Sequence, residues 1–86
     1  MLYEKDIEKD LKKRFRKNPH QRRIIDKKLE KVRQNPYAHG EPLVGRWKGY
    51  YSVHIDSHFI LIYSVDEEFH RINVVTYGKH DPTYGI

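Results

Sequence analysis

The alternation of apolar and polar positions in the second half of the chain predicts three short β-strands. Between residues 50 and 55 the more apolar side chains occupy every second position, as in a strand with one buried face. Residues 59–65 are apolar on both faces, which indicates a central strand covered on both sides. A third strand begins near Ile72, although Val75 interrupts its alternation. The links between consecutive strands are short, so we expect antiparallel hairpins.

In the first half of the chain the apolar residues recur at helical spacing. An apolar side chain at every fourth position predicts a helix over residues 4–17, with a stripe formed by Tyr3, Ile7, Leu11 and Phe15. Asn18-Pro19 then provides an N-cap and a proline at the first helical position, so a second helix begins there. It ends at Asn35-Pro36, because the residue before a proline is disfavoured in helical geometry.

These elements define an α+β fold, in which an N-terminal helical hairpin packs on a small twisted antiparallel β-sheet. The 86 residues suffice for a single domain, residues 1–86, with one modest core. There is no cysteine, which excludes disulfides, a thiolate nucleophile and a cysteine-based zinc site. No apolar run approaches the ~20 residues that a membrane span needs, and no signal-peptide core is present. We therefore expect a cytoplasmic protein without membrane contact.

The positive charge of the chain is concentrated in its first half. The formal net charge is +5, but residues 1–34 contain thirteen Lys and Arg against six Asp and Glu. Residues 35–86 contain four basic residues against six acidic ones, and are therefore slightly negative. This asymmetry predicts an anionic partner that meets mainly the helical half.

The order helix–helix–loop–strand–strand–strand resembles the RelE/ParE toxin superfamily, and four short motifs resemble its YafQ branch. The motifs are Trp47-Lys48-Gly49-Tyr50, Val53-His54-Ile55, Leu61-Ile62-Tyr63 and Gly78-Lys79-His80. The resemblance implies a RelE-like microbial RNase fold and the toxin of a type II toxin–antitoxin pair. Members of this branch are ribosome-dependent mRNA endoribonucleases that a small antitoxin silences. The expected partners are therefore an antitoxin in a hetero-oligomer, the ribosome with its rRNA, and mRNA.

The same resemblance implies the roles of several residues. His54 and His80 correspond to histidines that the branch uses in catalysis. Tyr84 corresponds to an aromatic residue that packs against the substrate base, and Phe59 to an aromatic that is usually tryptophan. The first strand of the family, in contrast, has little room at the start of this chain.

The chain departs from the family pattern at three positions. His58 occupies a position that is usually acidic. Thr76 stands where a phosphate-binding arginine is usual. The loop histidine before Pro42 is replaced by Glu41, with His39 nearby, so both become possible contributors from the loop.

Metal-independent RNA cleavage requires a base for the 2′-OH, an acid for the leaving 5′-oxygen and cations for the phosphate. Histidine can serve in either proton transfer near neutral pH. The candidate catalytic residues are His54, His58, His80 and Tyr84, and the candidate RNA-binding residues are Arg46, Lys48, Phe59, Arg71 and Lys79. For Arg46 and Lys48 the alternative is protection of a sheet edge against aggregation.

No metal or other cofactor is expected. His54 and His58 lie four residues apart, but across a turn rather than along a helix, and zinc requires a third ligand in fixed geometry.

Two alternative functions stay open on the sequence. One is a ParE-like toxin that inhibits gyrase, although the histidines at positions 54 and 80 argue against it. The other is a non-catalytic RNA-binding or ribosome-binding module of the same fold, which the threonine at position 76 favours.

Overall fold

The computed structural model describes residues 1–79 as two α-helices and a five-stranded sheet. In chain order the elements are β1 (Glu4–Ile7), α1 (Lys9–Arg16), α2 (Pro19–Gln34), β2 (Glu41–Pro42), a 3₁₀ turn (Gly45–Trp47), β3 (Tyr50–His54), β4 (Phe59–Asp66) and β5 (Arg71–Lys79). The strands lie in the order β1-β5-β4-β3-β2, antiparallel except for β1, which pairs parallel with β5. The predicted α+β class is confirmed, and the sheet is a mixed one.

The second helix begins and ends where its local signals predict. The Asn18 side chain accepts a hydrogen bond from the backbone N–H of Gln21 at 3.2 Å, and Pro19 occupies the first turn. The helix ends at Gln34, two residues before Pro36.

The predicted helix over residues 4–17 is wrong in its first turn, because residues 4–7 form strand β1. Tyr3 and Ile7 carry the apolar spacing of a helix, but the backbone between them pairs with β5, from Glu4 opposite Arg71 to Ile7 opposite Val74. A parallel pairing across more than sixty residues leaves no local signal in the sequence. The family's first strand is thus present, contrary to our expectation.

β4 is the central strand, as its pattern predicts, and the four residues from Ile60 to Tyr63 are buried. The register between β4 and β5 shifts at Ile62/Tyr63, so that Val75 is an extra residue in β5. Such a bulge explains why Val75 interrupts the alternation of the sequence. Thr76 is thereby placed opposite Ile62.

The two faces of the sheet have different partners. Both helices pack on one face, where they form the core with β4 and β5, and its buried members include Leu11, Phe15, Ile25, Leu29, Leu61, Tyr63, Ile72 and Tyr77. We call the other side the second face, and alternation and register place on it Ser52, His54, Ile60, Ile62, Thr76 and Gly78. Neither helix in the described part of the chain is long and apolar enough to cross a bilayer.

Candidate active site

A cavity of about 310 Å³ lies at the edge of the sheet, beside β2 and the end of β3 that β2 does not cover. We call it the edge cavity, and the polar residues that line it are Lys28, His39, Glu41, Ser52 and His54. It unites three candidates that the sequence presented separately, namely one histidine from β3 and both possible contributors from the loop. The edge cavity is therefore the candidate site among residues 1–79.

The edge cavity is open because β2 is short. Glu41 and Pro42 pair with Ser52 and Tyr51, after which the N–H of Leu43 donates to the Tyr50 carbonyl at 2.9 Å. The pairing thus stops before the last residues of β3, and His54 remains exposed at the edge.

The loop that carries His39 and Glu41 is fixed to the central strand. The Tyr63 hydroxyl, fully buried, donates a hydrogen bond to the Pro36 carbonyl at 2.6 Å. A Cβ atom at Gly40 would overlap the Tyr63 hydroxyl, so this close approach requires glycine. Because Gly40 lies between His39 and Glu41, the contact positions both side chains beside the cavity.

The turn between β3 and β4 is held by Asp56. Its Oδ1 accepts the backbone N–H groups of His58 at 2.8 Å and Phe59 at 2.9 Å, and its Oδ2 accepts the side-chain N–H of Gln21 at 2.9 Å. These hydrogen bonds, led by that of His58, lower the pKa of the Asp56 carboxyl. Gln21 is buried at the start of α2, so the helix anchors the turn that separates His54 from His58.

Phe59 lies on the helix side of the sheet rather than beside His54. Its ring stacks on Tyr77 with 5.5 Å between centroids, and Tyr77 in turn meets Phe15 edge to face at 5.0 Å. Lys79 is the register partner of Phe59 and belongs to the same side. The structure therefore does not bring Phe59 or Lys79 together with His54, and packing accounts for the position of the Phe59 ring.

Arg71 lies at the far end of β5. It is opposite Asp66 in the register, whereas Gly78 occupies the row of His54 and Ile60. Seven residues of strand separate Arg71 from Gly78, which corresponds to roughly 23 Å. The Arg71 guanidinium instead lies 5.5 Å from the centre of the Phe69 ring.

Arg46 and Lys48 belong to the segment that leads into β3, and both are exposed. Gly45 and Gly49 have φ of 67° and 95°, left-handed values that favour glycine, so the segment turns sharply on both sides. Trp47 fixes it to the strand by packing edge to face on Tyr50 at 5.4 Å.

His80 and Tyr84 lie outside the described residues, so their predicted roles stay predictions. His58 is exposed at the turn after β3. No group of three metal-ligating side chains that could hold an ion occurs within residues 1–79.

One residue of the edge cavity, Lys28, was not predicted from the sequence. Lys28 is one of many basic residues in the helical half, and charge counting does not separate it from the others. The available signal was its position, since it follows Ile25 by three residues and immediately precedes Leu29, both in the apolar stripe of α2. A lysine at that position lies at the border of the buried face.

Comparisons with known proteins agree with this architecture. The chain superposes on a double mutant of E. coli RelE with a TM-score of 0.77 and 27% identity, covering 98% of this chain and 90% of RelE. E. coli YafQ gives a TM-score of 0.60 at 18% identity, covering 96% of this chain and 99% of that chain. The fold is therefore that of the RelE-type toxins.

The sequence comparisons assign the family. A protein from Methanocaldococcus jannaschii that carries the provisional name toxin RelE4 is 32% identical over 78 residues, which cover 91% of this chain and 82% of the relative. The model of the YafQ family, bacterial toxins of type II toxin–antitoxin systems, matches residues 1–84. The chain belongs to the YafQ toxin family.

Proposed function

We propose that this chain is the toxin of a type II pair and an endoribonuclease that cleaves mRNA on the ribosome. The observation that supports this activity best is the edge cavity, which gathers His54, His39 and Glu41 at one open edge of the sheet. Acid–base groups, a lysine and a serine in a single recess suit the transfer of protons around a bound phosphodiester.

The reaction begins with removal of the 2′-OH proton by His54. The 2′-oxygen forms a bond to phosphorus while the bond from phosphorus to the 5′-oxygen breaks, and His80 gives its proton to the leaving 5′-oxygen. The products are a 2′,3′-cyclic phosphate and a 5′-hydroxyl. Tyr84 stacks on the substrate base, as the family resemblance implies.

His58 and the loop residues are auxiliary in this mechanism. His58 follows His54 by four residues at the turn that Asp56 holds, and its imidazole is exposed to an approaching substrate. Glu41 and His39 line the same cavity as His54 and provide further proton acceptors there.

The ribosome supplies what the small chain lacks. An edge cavity of about 310 Å³ has little room beyond one nucleotide, so an extended RNA strand has to be held elsewhere. The basic residues of α1 and α2 are almost all exposed, which suits contact with ribosomal RNA phosphates. Cleavage on the ribosome is therefore expected to weaken steeply as salt is raised.

A cognate antitoxin completes the proposed system. A toxin of the same fold has been solved with its partner in the RelBE2 complex of Mycobacterium tuberculosis, with a TM-score of 0.71 and 19% identity over 93% of this chain and all of that one. The antitoxin is expected to cover the edge cavity or the basic helices and so prevent binding to the ribosome.

A non-catalytic ribosome-binding module is the second candidate, favoured by one observation. Thr76 lies on the second face opposite Ile62, at the position where the family usually carries a phosphate-binding arginine, and a threonine brings no positive charge.

The two candidates separate in one experiment. The full chain is added to purified ribosomes programmed with a defined mRNA, and to the same mRNA alone, and fragments are mapped by primer extension. The enzyme cuts the ribosome-bound mRNA only, whereas a binding module leaves it intact while still stopping translation. Efficient cutting of naked RNA would contradict the ribosome dependence.

A further inference from the structure

Lys28 is distinguished from the other basic residues of the helices by its burial. Among the lysines and arginines between residues 9 and 31, it alone is partly buried, and all the others are exposed. Its neighbours Ile25 and Leu29 have no exposed surface. The helix therefore directs the Lys28 stem along the border of the core rather than away from the protein.

Lys28 borders the same recess as the candidate catalytic histidine, because the recess lies at the edge of the sheet, where α2 and the end of β3 both reach it. It lines the edge cavity together with His54 and His39. The ammonium makes no hydrogen bond and no ion pair with any residue from 1 to 79. Glu41 also lines the cavity, but no ion pair joins it to Lys28.

Lys28 thus brings a positive charge to the border of the cavity and has no partner among residues 1–79, so it is available to a bound anion. We propose that Lys28 is a catalytic residue that binds the scissile phosphate of the RNA next to His54. This assignment rests on the proposed endoribonuclease activity and adds the cation that the threonine at position 76 does not supply. A lysine offers one point charge rather than the two-pronged contact of arginine, and a positive charge beside the phosphate stabilises the negative charge that develops in the transition state.

The test compares two lysines of equal charge. Lys28→Met keeps an unbranched apolar stem and removes the ammonium, and Lys5→Met, on exposed strand β1, removes the same charge elsewhere. With ribosomes in excess, we expect Lys28→Met to lower the single-turnover cleavage rate about 10- to 100-fold, the scale of one lost transition-state contact. Lys28→Arg should keep most of the rate, and thermal unfolding of each variant checks that the fold is intact.

An equal rate for Lys28→Met and Lys5→Met would overturn the assignment while leaving the endoribonuclease in place. A loss that appears only as weaker ribosome binding, with the saturated rate unchanged, would also overturn it, since rRNA docking would then explain the lysine.

If the wild-type chain cuts nothing, the proposed function itself is refuted. A binding measurement then tests the phosphate site separately. Inorganic phosphate is titrated into the isotopically labelled full chain, and the amide resonances of residues 39–41 and 52–54 are followed. Shifts that saturate in the wild type and vanish in Lys28→Met support the phosphate site independently of cleavage. Their absence in the wild type would refute the site.

Discussion

The two antiparallel hairpin turns lie at opposite ends of β4, and each contains an aspartate and a histidine. In the turn after β3, Asp56 accepts the backbone N–H groups of His58 and Phe59. In the turn after β4, the Asp66 Oδ1 accepts the N–H of Phe69 at 3.2 Å. Because the two turns have similar local chemistry, the surroundings of His58 and His70 can be compared directly.

The turn after β4 is tied to the rest of the protein by its side chains. The His70 ring stacks on Tyr3 with 3.6 Å between centroids, and its Nε2 lies 3.2 Å from the Met1 carbonyl oxygen. The Glu67 Oε1 accepts the hydroxyl groups of Tyr3 at 2.7 Å and of Tyr37 at 2.6 Å. This turn thus fastens the N-terminal segment and the loop after α2 to the sheet.

The turn after β3 is anchored differently. Its contacts run through Asp56 to the buried Gln21, while the His58 ring makes no hydrogen bond within the described range and His54 is exposed. The residue type alone therefore does not show whether a histidine in a hairpin turn is functional. What separates the two turns is that one engages its histidine in packing, whereas the other lies beside the edge cavity that His54 lines.

The largest expected difference between the turns is in catalysis. His54→Ala should lower cleavage of ribosome-bound mRNA by ~10²–10⁴-fold, the usual contribution of a positioned acid or base. His70→Ala should cleave at the wild-type rate, because the ring lies at the far end of β4. Fragment mapping under identical conditions measures both. A fully active His54→Ala variant would show that the active site has been misplaced.

The second difference concerns the anchoring of the two turns. Asp56→Ala should lower the thermal unfolding midpoint more than Asp66→Ala, because it removes three hydrogen bonds and leaves the buried Gln21 amide without its partner. Asp66→Ala removes one exposed hydrogen bond. Calorimetry of both variants provides the comparison, and equal midpoints would show that the Gln21 contact adds nothing.

The smallest expected effect is a dependence of stability on pH. Hydrogen bonds from Tyr37 and Tyr3 lower the pKa of Glu67, so its contribution is complete above its usual pKa and is lost as the pH falls through the lowered value. Between about pH 5 and pH 3, the wild type should therefore lose stability relative to Glu67→Gln, which keeps the acceptor without the charge.

The control lies in the other turn. Asp56 also has a lowered pKa, so Glu67→Gln should remove only part of the acid sensitivity of the wild type. Unfolding measurements at each pH give the stability of the two proteins. An equal loss of stability in both across this pH range would contradict the role of Glu67.

The sequence predicted the parts of the fold that depend on local signals. Asn18 and Pro19 mark the start of α2 because capping acts within one turn, and the apolar run of β4 marks a central strand. β1 was missed because its pairing with β5 is non-local. The bulge at Val75 showed in the sequence only as a break in alternation.

The candidate site was predictable only in part. The family resemblance pointed to His54, and the departure from the family pattern before Pro42 suggested His39 and Glu41, which the edge cavity brings together. Phe59 and Arg71 were equally plausible by residue type, but strand alternation and distance separate them from His54. The sequence did not distinguish Lys28 from the other lysines, because its burial depends on how α2 meets the sheet edge.

The ends of the cleaved RNA test the central claim most directly. Fragments from ribosome-bound mRNA treated with the wild-type chain are isolated, and their termini are identified by mass spectrometry. Attack by the 2′-OH predicts a 2′,3′-cyclic phosphate, or the phosphate that forms when it opens, on the upstream fragment and a 5′-hydroxyl on the downstream one. A 3′-hydroxyl facing a 5′-phosphate, or an mRNA that remains intact while translation stops, would contradict it.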